Sequence, residues 1–191
     1  MPVPHLNIRI VQRSKGSSAV AGAAYQAGEK LFSEYDQKSK DHRRKQPEVV
    51  YTEILLPANA PPEYADRATL WNAAEEAEKQ WNAQLARRFV LALPREVPLE
   101  KCPQMLREYC EEHFVSKGMC CDFAIHDPDP PGHNPHCHIM LTMRALDENG
   151  KWMPKSRKVY DLDENGERIR LPSGRWKSHK EDTVDWNEQY H

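Results

Sequence analysis

Apolar and polar positions along this chain switch between a period of two and a helical period, and the switches predict its elements. His5-Leu-Asn-Ile-Arg-Ile-Val-Gln-Arg13 alternates and predicts a strand. Ser14-Lys-Gly-Ser-Ser18 is a turn with a ready cap for an Ala-rich helix from Ala19 to Leu31. The basic segment 38–45 predicts a loop or short hairpin, and Val49-Val-Tyr-Thr-Glu-Ile-Leu-Leu56 a second strand closed by Pro57. Pro61-Pro62 open a long helix running to about Leu85, with Trp71, Ala74, Trp81 and Leu85 on its apolar stripe and Glu78 on that stripe too. Arg88 to Leu93 predicts a third strand. A second long helix runs from Pro98 to about Val115, with Met105, Leu106, Tyr109 and Phe114 as core candidates. Met119–Ile125 and His136–Leu146 are the fourth and fifth strands. Asp147-Glu-Asn-Gly150 and Asp163-Glu-Asn-Gly166 predict hairpin turns within a protruding ribbon. Ser178 to Tyr190 predicts a last helix, and its run to the chain end suggests a domain that begins a longer polypeptide. This order gives an α+β fold: a largely antiparallel five-stranded sheet with helices packed on it, plus a basic β-hairpin ribbon, with the His136 strand central.

Composition narrows the class. The chain's 191 residues suffice for one domain with one substantial core. No apolar run approaches the roughly 20 residues that span a bilayer, so a soluble, cytoplasmic protein without membrane insertion is expected. Five cysteines, two of them adjacent at Cys120-Cys121, favour neither a disulfide frame nor a thiolate zinc site. Net charge is −2 but unevenly placed. Segment 38–45 is basic, and segment 151–180 carries Lys151, Lys155, Arg157, Lys158, Arg168, Arg170, Arg175, Lys177 and Lys180 against four acids. Such segregation admits an anionic partner on one face, although a solvated charge run would look the same.

The candidate chemistry lies in His126-Asp-Pro-Asp-Pro-Pro-Gly-His133-Asn-Pro-His136-Cys-His138. On a strand, side chains two apart share a face, so His136 and His138 would stand side by side. The loop before them can return His126 or His133 as a third imidazole. His126, at the end of an expected strand, is the better held of the two. Three neutral imidazoles suit a divalent ion and leave positions open to substrate oxygens. Tyr25 lies in a helix of small side chains, where a strand of substrate could approach its phenol. A tyrosine there is more commonly a core residue, but a phenol is also a competent nucleophile on phosphorus.

Ser18-Ala-Val-Ala-Gly-Ala-Ala-Tyr25-Gln-Ala-Gly-Glu-Lys-Leu31 resembles the first motif of the MobA/MobL-type (MobQ) conjugative relaxases. Leu70-Trp-Asn-Ala-Ala-Glu-Glu-Ala-Glu-Lys79 and Asn82-Ala-Gln-Leu-Ala-Arg87, with Ala92-Leu-Pro-Arg-Glu96, resemble that family's middle region. His133-Asn-Pro-His136-Cys-His138 resembles the histidine–hydrophobe–histidine motif shared by the HUH endonucleases. The likeness covers essentially the whole chain, with three motifs in order. It implies a nickase that cuts one strand at an origin of transfer and stays joined to the 5′ end through Tyr25, to start conjugative transfer or mobilisation of a plasmid or transposon. It implies a metal held by His126, His136 and His138, Mg²⁺ or Mn²⁺ by family habit, whereas imidazole chemistry would also accept Zn²⁺, Ni²⁺ or Co²⁺. Expected partners are single-stranded or hairpin origin DNA and the accessory and coupling proteins of a bacterial relaxosome.

One departure stands out. Relatives often carry an acid directly after the Ala-Arg pair, whereas here Arg88 follows Ala86-Arg87. Glu78 and His133 are secondary candidates for supporting roles. Arg43, Arg44, Lys45, Lys155, Arg157 and Lys158 are the expected DNA contacts. A rolling-circle replication initiator and a metal-dependent DNA hydrolase are the rival readings, the second with Tyr25 merely structural.

Overall fold

The computed structural model describes residues 6–129 and 134–184. His5, His133 and the Asp185–Tyr190 part of the expected last helix lie outside the described residues. Five strands, β1 (Leu6–Gln12), β4 (Val49–Leu55), β5 (Gln84–Ala92), β6 (Cys121–His126) and β7 (His136–Thr142), form an antiparallel sheet in the order β1-β5-β7-β6-β4. The histidine strand β7 is therefore central, as its unbroken apolar run requires. Two small hairpins stand apart from the sheet: β2 (Lys30–Ser33) with β3 (Lys38–Asp41), and β8 (Ser156–Tyr160) with β9 (Ser178–Asp182). No described helix is long and apolar enough to cross a membrane.

Helices cover both faces of the sheet. On one, α1 (Ala19–Ala27) and α2 (Arg67–Ala77) bury Val20, Ala23, Ala24, Leu70 and Trp71 against Ala86 and Met140. On the other, α3 (Cys102–His113) buries Cys102, Leu106, Cys110 and the following Phe114 against Phe123, Ile125, Cys137, Ile139 and Leu141. Alternate residues of β7 thus serve different layers, and Cys137 points away from its histidine neighbours. All five thiols are free and buried, and burial pushes Cys120 up to about 12.

Three expected elements are shorter or different. α1 stops at Ala27 because Gly28 turns left-handed at φ 64° and donates back to Ala24 O; the chain then enters the β2–β3 hairpin, which holds the start of the basic segment. α2 ends at Ala77 instead of about Leu85. Arg13 donates to the carbonyls of Glu75, Glu78 and Gln80, and Glu78 turns inward to Arg144, 2.7 Å away. Leu85 therefore belongs to β5, and Trp81, expected in the core, is 74 % exposed. Tyr109 is also exposed. Ser178–Asp182 is strand, not helix: a fully polar run with no apolar stripe takes its conformation from pairing with β8. Both Asp-Glu-Asn-Gly segments are hairpin turns, closing Leu146 on Trp152 and Leu162 on Arg168. Each ends on a left-handed glycine, Gly150 or Gly166.

Candidate metal and tyrosine centre

The β6–β7 register sets His126 directly opposite His136 and Ala124 opposite His138, so three imidazoles share the face that carries α1. Ring centroids lie 4.6 Å apart for His126–His138, 4.9 Å for His136–His138 and 5.3 Å for His126–His136. One ligating nitrogen from each ring falls within 4.8 Å of the others. The hydrogen bonds prepare two of the rings. His126 Nε2 donates to Gln26 O at 2.7 Å, and His136 Nδ1 donates to Asn134 O at 2.7 Å. A carbonyl only accepts, so in each ring the opposite nitrogen keeps its lone pair. His138 Nε2 is buried with no partner. Burial holds His126 below its ordinary value and, helped by the charge of Arg88, pushes His138 down to about 2. The three rings fit a divalent ion when His138 carries its hydrogen on Nδ1, which requires the Arg88 guanidinium, a donor only, to turn away from that nitrogen.

Tyr25 is delivered by α1. Ser18 accepts from Ala21 N at 3.1 Å as the cap and donates to Glu75 Oε1 at 2.8 Å, which anchors α1 to α2. The buried alanines let the helix lie close to the sheet, and the next residue, Gln26, pins it there. Gln26 Nε2 donates to Asp122 O at 3.0 Å, while its own carbonyl receives His126. The half-buried phenol stands 5.8 Å from the His138 ring and 6.3 Å from His126, centroid to centroid. Asp122, fully buried at the start of β6, accepts from Arg67 Nε at 2.9 Å and Trp71 Nε1 at 2.8 Å.

The structure also brings to Tyr25 residues to which the sequence alone assigns no place beside it. His42, carried by the β2–β3 hairpin, meets Tyr25 edge-on at 5.6 Å. Arg88 Cζ lies 5.1 Å from the Tyr25 ring centroid, and its Nη2 is 3.2 Å from His138 Nδ1. Lys45, expected only as a DNA contact, has Nζ 5.7 Å from the same ring. Its pKa is raised chiefly by its hydrogen bond to Glu48, with a smaller contribution from the phenol. No sequence spacing marks His42, because its approach depends on the hairpin's tertiary course.

Other expected residues lie elsewhere. Glu78 pairs with Arg144 and with Lys155, 3.0 Å away, and joins α2 to the segment after β7 instead of reaching the histidines. Lys155 is correspondingly turned inward and also donates to Gln84 O at 2.8 Å. Arg157 and Lys158 are exposed on β8, Arg157 beside Glu181 and Lys158 over the Tyr160 ring. Arg43 and Arg44 are exposed after β3, with Arg43 paired to Asp41.

Comparison with known proteins agrees with this arrangement. The MobA/MobL family model matches residues 17–191. The chain is 38 % identical over 185 residues to a "Conjugal transfer protein TraA" of Agrobacterium fabrum, covering 92 % of this chain and 16 % of that protein. It is 39 % identical over 173 residues to a "Probable mobilization protein MobA" of Bifidobacterium longum, covering 90 % and 30 % respectively. It therefore spans less than a third of the length of either relative. A solved structure described as "Molecular Basis of Vancomycin Resistance Transfer in Staphylococcus aureus" superposes with a TM-score of 0.77 at 29 % identity, over 97 % of this chain and 82 % of that one. The antiparallel sheet, the tyrosine helix laid over its histidines and these likenesses agree, and the chain belongs to the MobA/MobL family of mobilisation relaxases.

Proposed function

We propose that this domain nicks one DNA strand at an origin of transfer by attack of Tyr25 on the scissile phosphate. The observation that carries the reading is the phenol of Tyr25 set beside His126 and His138 where three imidazoles converge. In the step itself the Tyr25 oxygen forms a bond to phosphorus and the P–O3′ bond breaks. The 3′ oxygen leaves with the bonding electrons and takes a proton from solvent to become a hydroxyl, and the 5′ phosphate remains on the tyrosine. The phenolic proton passes to solvent or to His42, which faces the ring. His126, His136 and His138 would hold a divalent ion, whose chemistry there is polarisation of phosphoryl oxygens. Lys45 and Arg88 add positive charge near the phenol, where negative charge develops.

The aryl ester remains open to re-attack by a 3′ hydroxyl, which suits a mobilisation enzyme that must rejoin the strand. Origin DNA would also contact the exposed Arg43, Arg44, Arg157 and Lys158, and the cytoplasmic relaxosome of a bacterium is the setting the family suggests. The test is incubation with labelled single-stranded origin oligonucleotides and a divalent metal, followed by denaturing electrophoresis. Wild type should give a denaturation-resistant adduct. Tyr25→Phe should fold and bind DNA but give none. Free cleaved ends without adduct would favour a hydrolase instead.

A further inference from the structure

Arg88 is a half-buried charge with no acidic partner among the described residues. Its Nε is buried and makes no hydrogen bond, its one recorded polar contact is His138 Nδ1, and among the described residues no carboxylate pairs with it. The contrast with Arg67 is direct: that buried guanidinium is satisfied by Asp122 and Glu29. Arg88 also stands opposite Arg9 in the β1–β5 register, and like charges directly across a ladder repel. Two arginines facing each other would be a poor arrangement for an empty sheet.

The surroundings say what is missing. Asn7, Arg9, Tyr25, Arg88, Val90 and His138 line a cavity of about 290 Å³ that contains no acid. Arg9 Nε is bonded to Asn7 Oδ1 at 3.0 Å, which leaves its terminal nitrogens and the Asn7 amide available as donors. The fork of a guanidinium matches two oxygens of a tetrahedral oxyanion, and an anion would relieve both the desolvation of Arg88 and its repulsion from Arg9. We propose that Arg88, with Arg9 and Asn7, is a seat for a phosphate-class oxyanion beside Tyr25, occupied at work by a phosphodiester of the bound strand. The seat follows from the cavity alone; its occupant rests on the nicking function proposed above.

The test uses the whole chain in EDTA, so that no metal contributes. Inorganic phosphate, added at constant ionic strength, should raise the melting temperature of wild type. Arg88→Gln should melt above wild type without phosphate, because a half-buried charge facing Arg9 is gone, and should not respond to phosphate. Fluorescent hexathymidylate should bind the variant about tenfold more weakly than wild type, the loss of one charge-assisted contact. A merely structural arginine would instead lower the melting temperature and leave the phosphate response intact, which overturns the proposal. If phosphate stabilises wild type but Arg88→Gln binds hexathymidylate normally, the seat takes free phosphate and the phosphodiester assignment is wrong. Should Arg88→Gln fail to fold, the surface variant Arg9→Gln must show a weaker form of the same two losses. Tyr25→Phe should keep both binding responses. Its adduct assay tests the nicking step independently of the seat.

Discussion

His138 pays most heavily for its position. It is buried on the central strand beside Arg88, and its pKa is pushed down to about 2, while burial also lowers His126. Both rings are therefore neutral at pH 7, as ligands must be. In the unfolded chain they take up protons near the ordinary value of about 6.5, whereas in the folded chain they do so only at lower pH. Between those limits the unfolded state binds more protons, so stability falls as pH is lowered through 6.5. The metal-free protein should lose melting temperature between pH 7 and pH 5, and His138→Gln should flatten that loss; a flat wild-type profile in calorimetry would contradict the assignment. The same two rings, with His136, should carry metal affinity. His136→Ala/His138→Ala should abolish saturable Mn²⁺ or Zn²⁺ binding by titration calorimetry, since one remaining imidazole cannot hold the ion. His133→Ala should spare it.

The tyrosine helix is coupled to the histidine strands by a small number of buried polar contacts. Gln26 takes both Asp122 O and the His126 ring, and the Asp122 carboxylate ties β6 to α2 through Arg67 and Trp71. At the end of the helix, a Cβ on Gly28 would come within 2.6 Å of the Gln46 backbone, so the turn that swings Lys45 toward Tyr25 needs both the left-handed φ and the absence of a side chain. Without the Asp122 carboxylate, Arg67 keeps only the exposed Glu29 and the buried Trp71 indole N–H loses its acceptor. Asp122→Ala should therefore cost about 3–5 kcal/mol in urea denaturation, far more than a surface change. It should also reduce adduct formation beyond what lost stability explains, because α2, to which Ser18 anchors the tyrosine helix through Glu75, loses its tie to β6. Unchanged stability would show that Arg67 finds another partner.

Over the molecule as a whole, the fold sets positive charge both beside Tyr25, at Lys45 and Arg88, and on the separate β8–β9 hairpin. The ribbon built from β8 and β9 carries exposed Arg157 and Lys158 and stacks Arg168 over Tyr160 at 4.2 Å. If single-stranded DNA runs along this ribbon, each phosphate contact releases counterions. Arg157→Gln/Lys158→Gln should then lower affinity and shallow the log–log salt slope by roughly 0.7 per lost contact, with metal binding unchanged. An unaltered slope would place the DNA path elsewhere and leave the ribbon a solvated surface.

The antiparallel sheet, its central strand and the two Asn-Gly hairpins could be read from the chain, because period-two alternation, unbroken apolar runs and glycine turns are local consequences of burial and backbone sterics. The pair His136 and His138 was readable for the same reason, since strand geometry alone puts them on one face. Tyr25 stood out through its small neighbours and its motif. The length of α2 was not readable: its apolar period continues to Leu85, and only Arg13, from a distant turn, and the inward pairing of Glu78 with Arg144 and Lys155 end it at Ala77. Nor could polar Ser178–Asp182 show its strand, which depends on a partner twenty residues upstream. The approach of His42, Lys45 and Arg88 to Tyr25 likewise has no local signature. It arises where a hairpin, a helix and two strands meet, and contacts between residues so far apart in the chain are fixed by packing, not by any spacing along it.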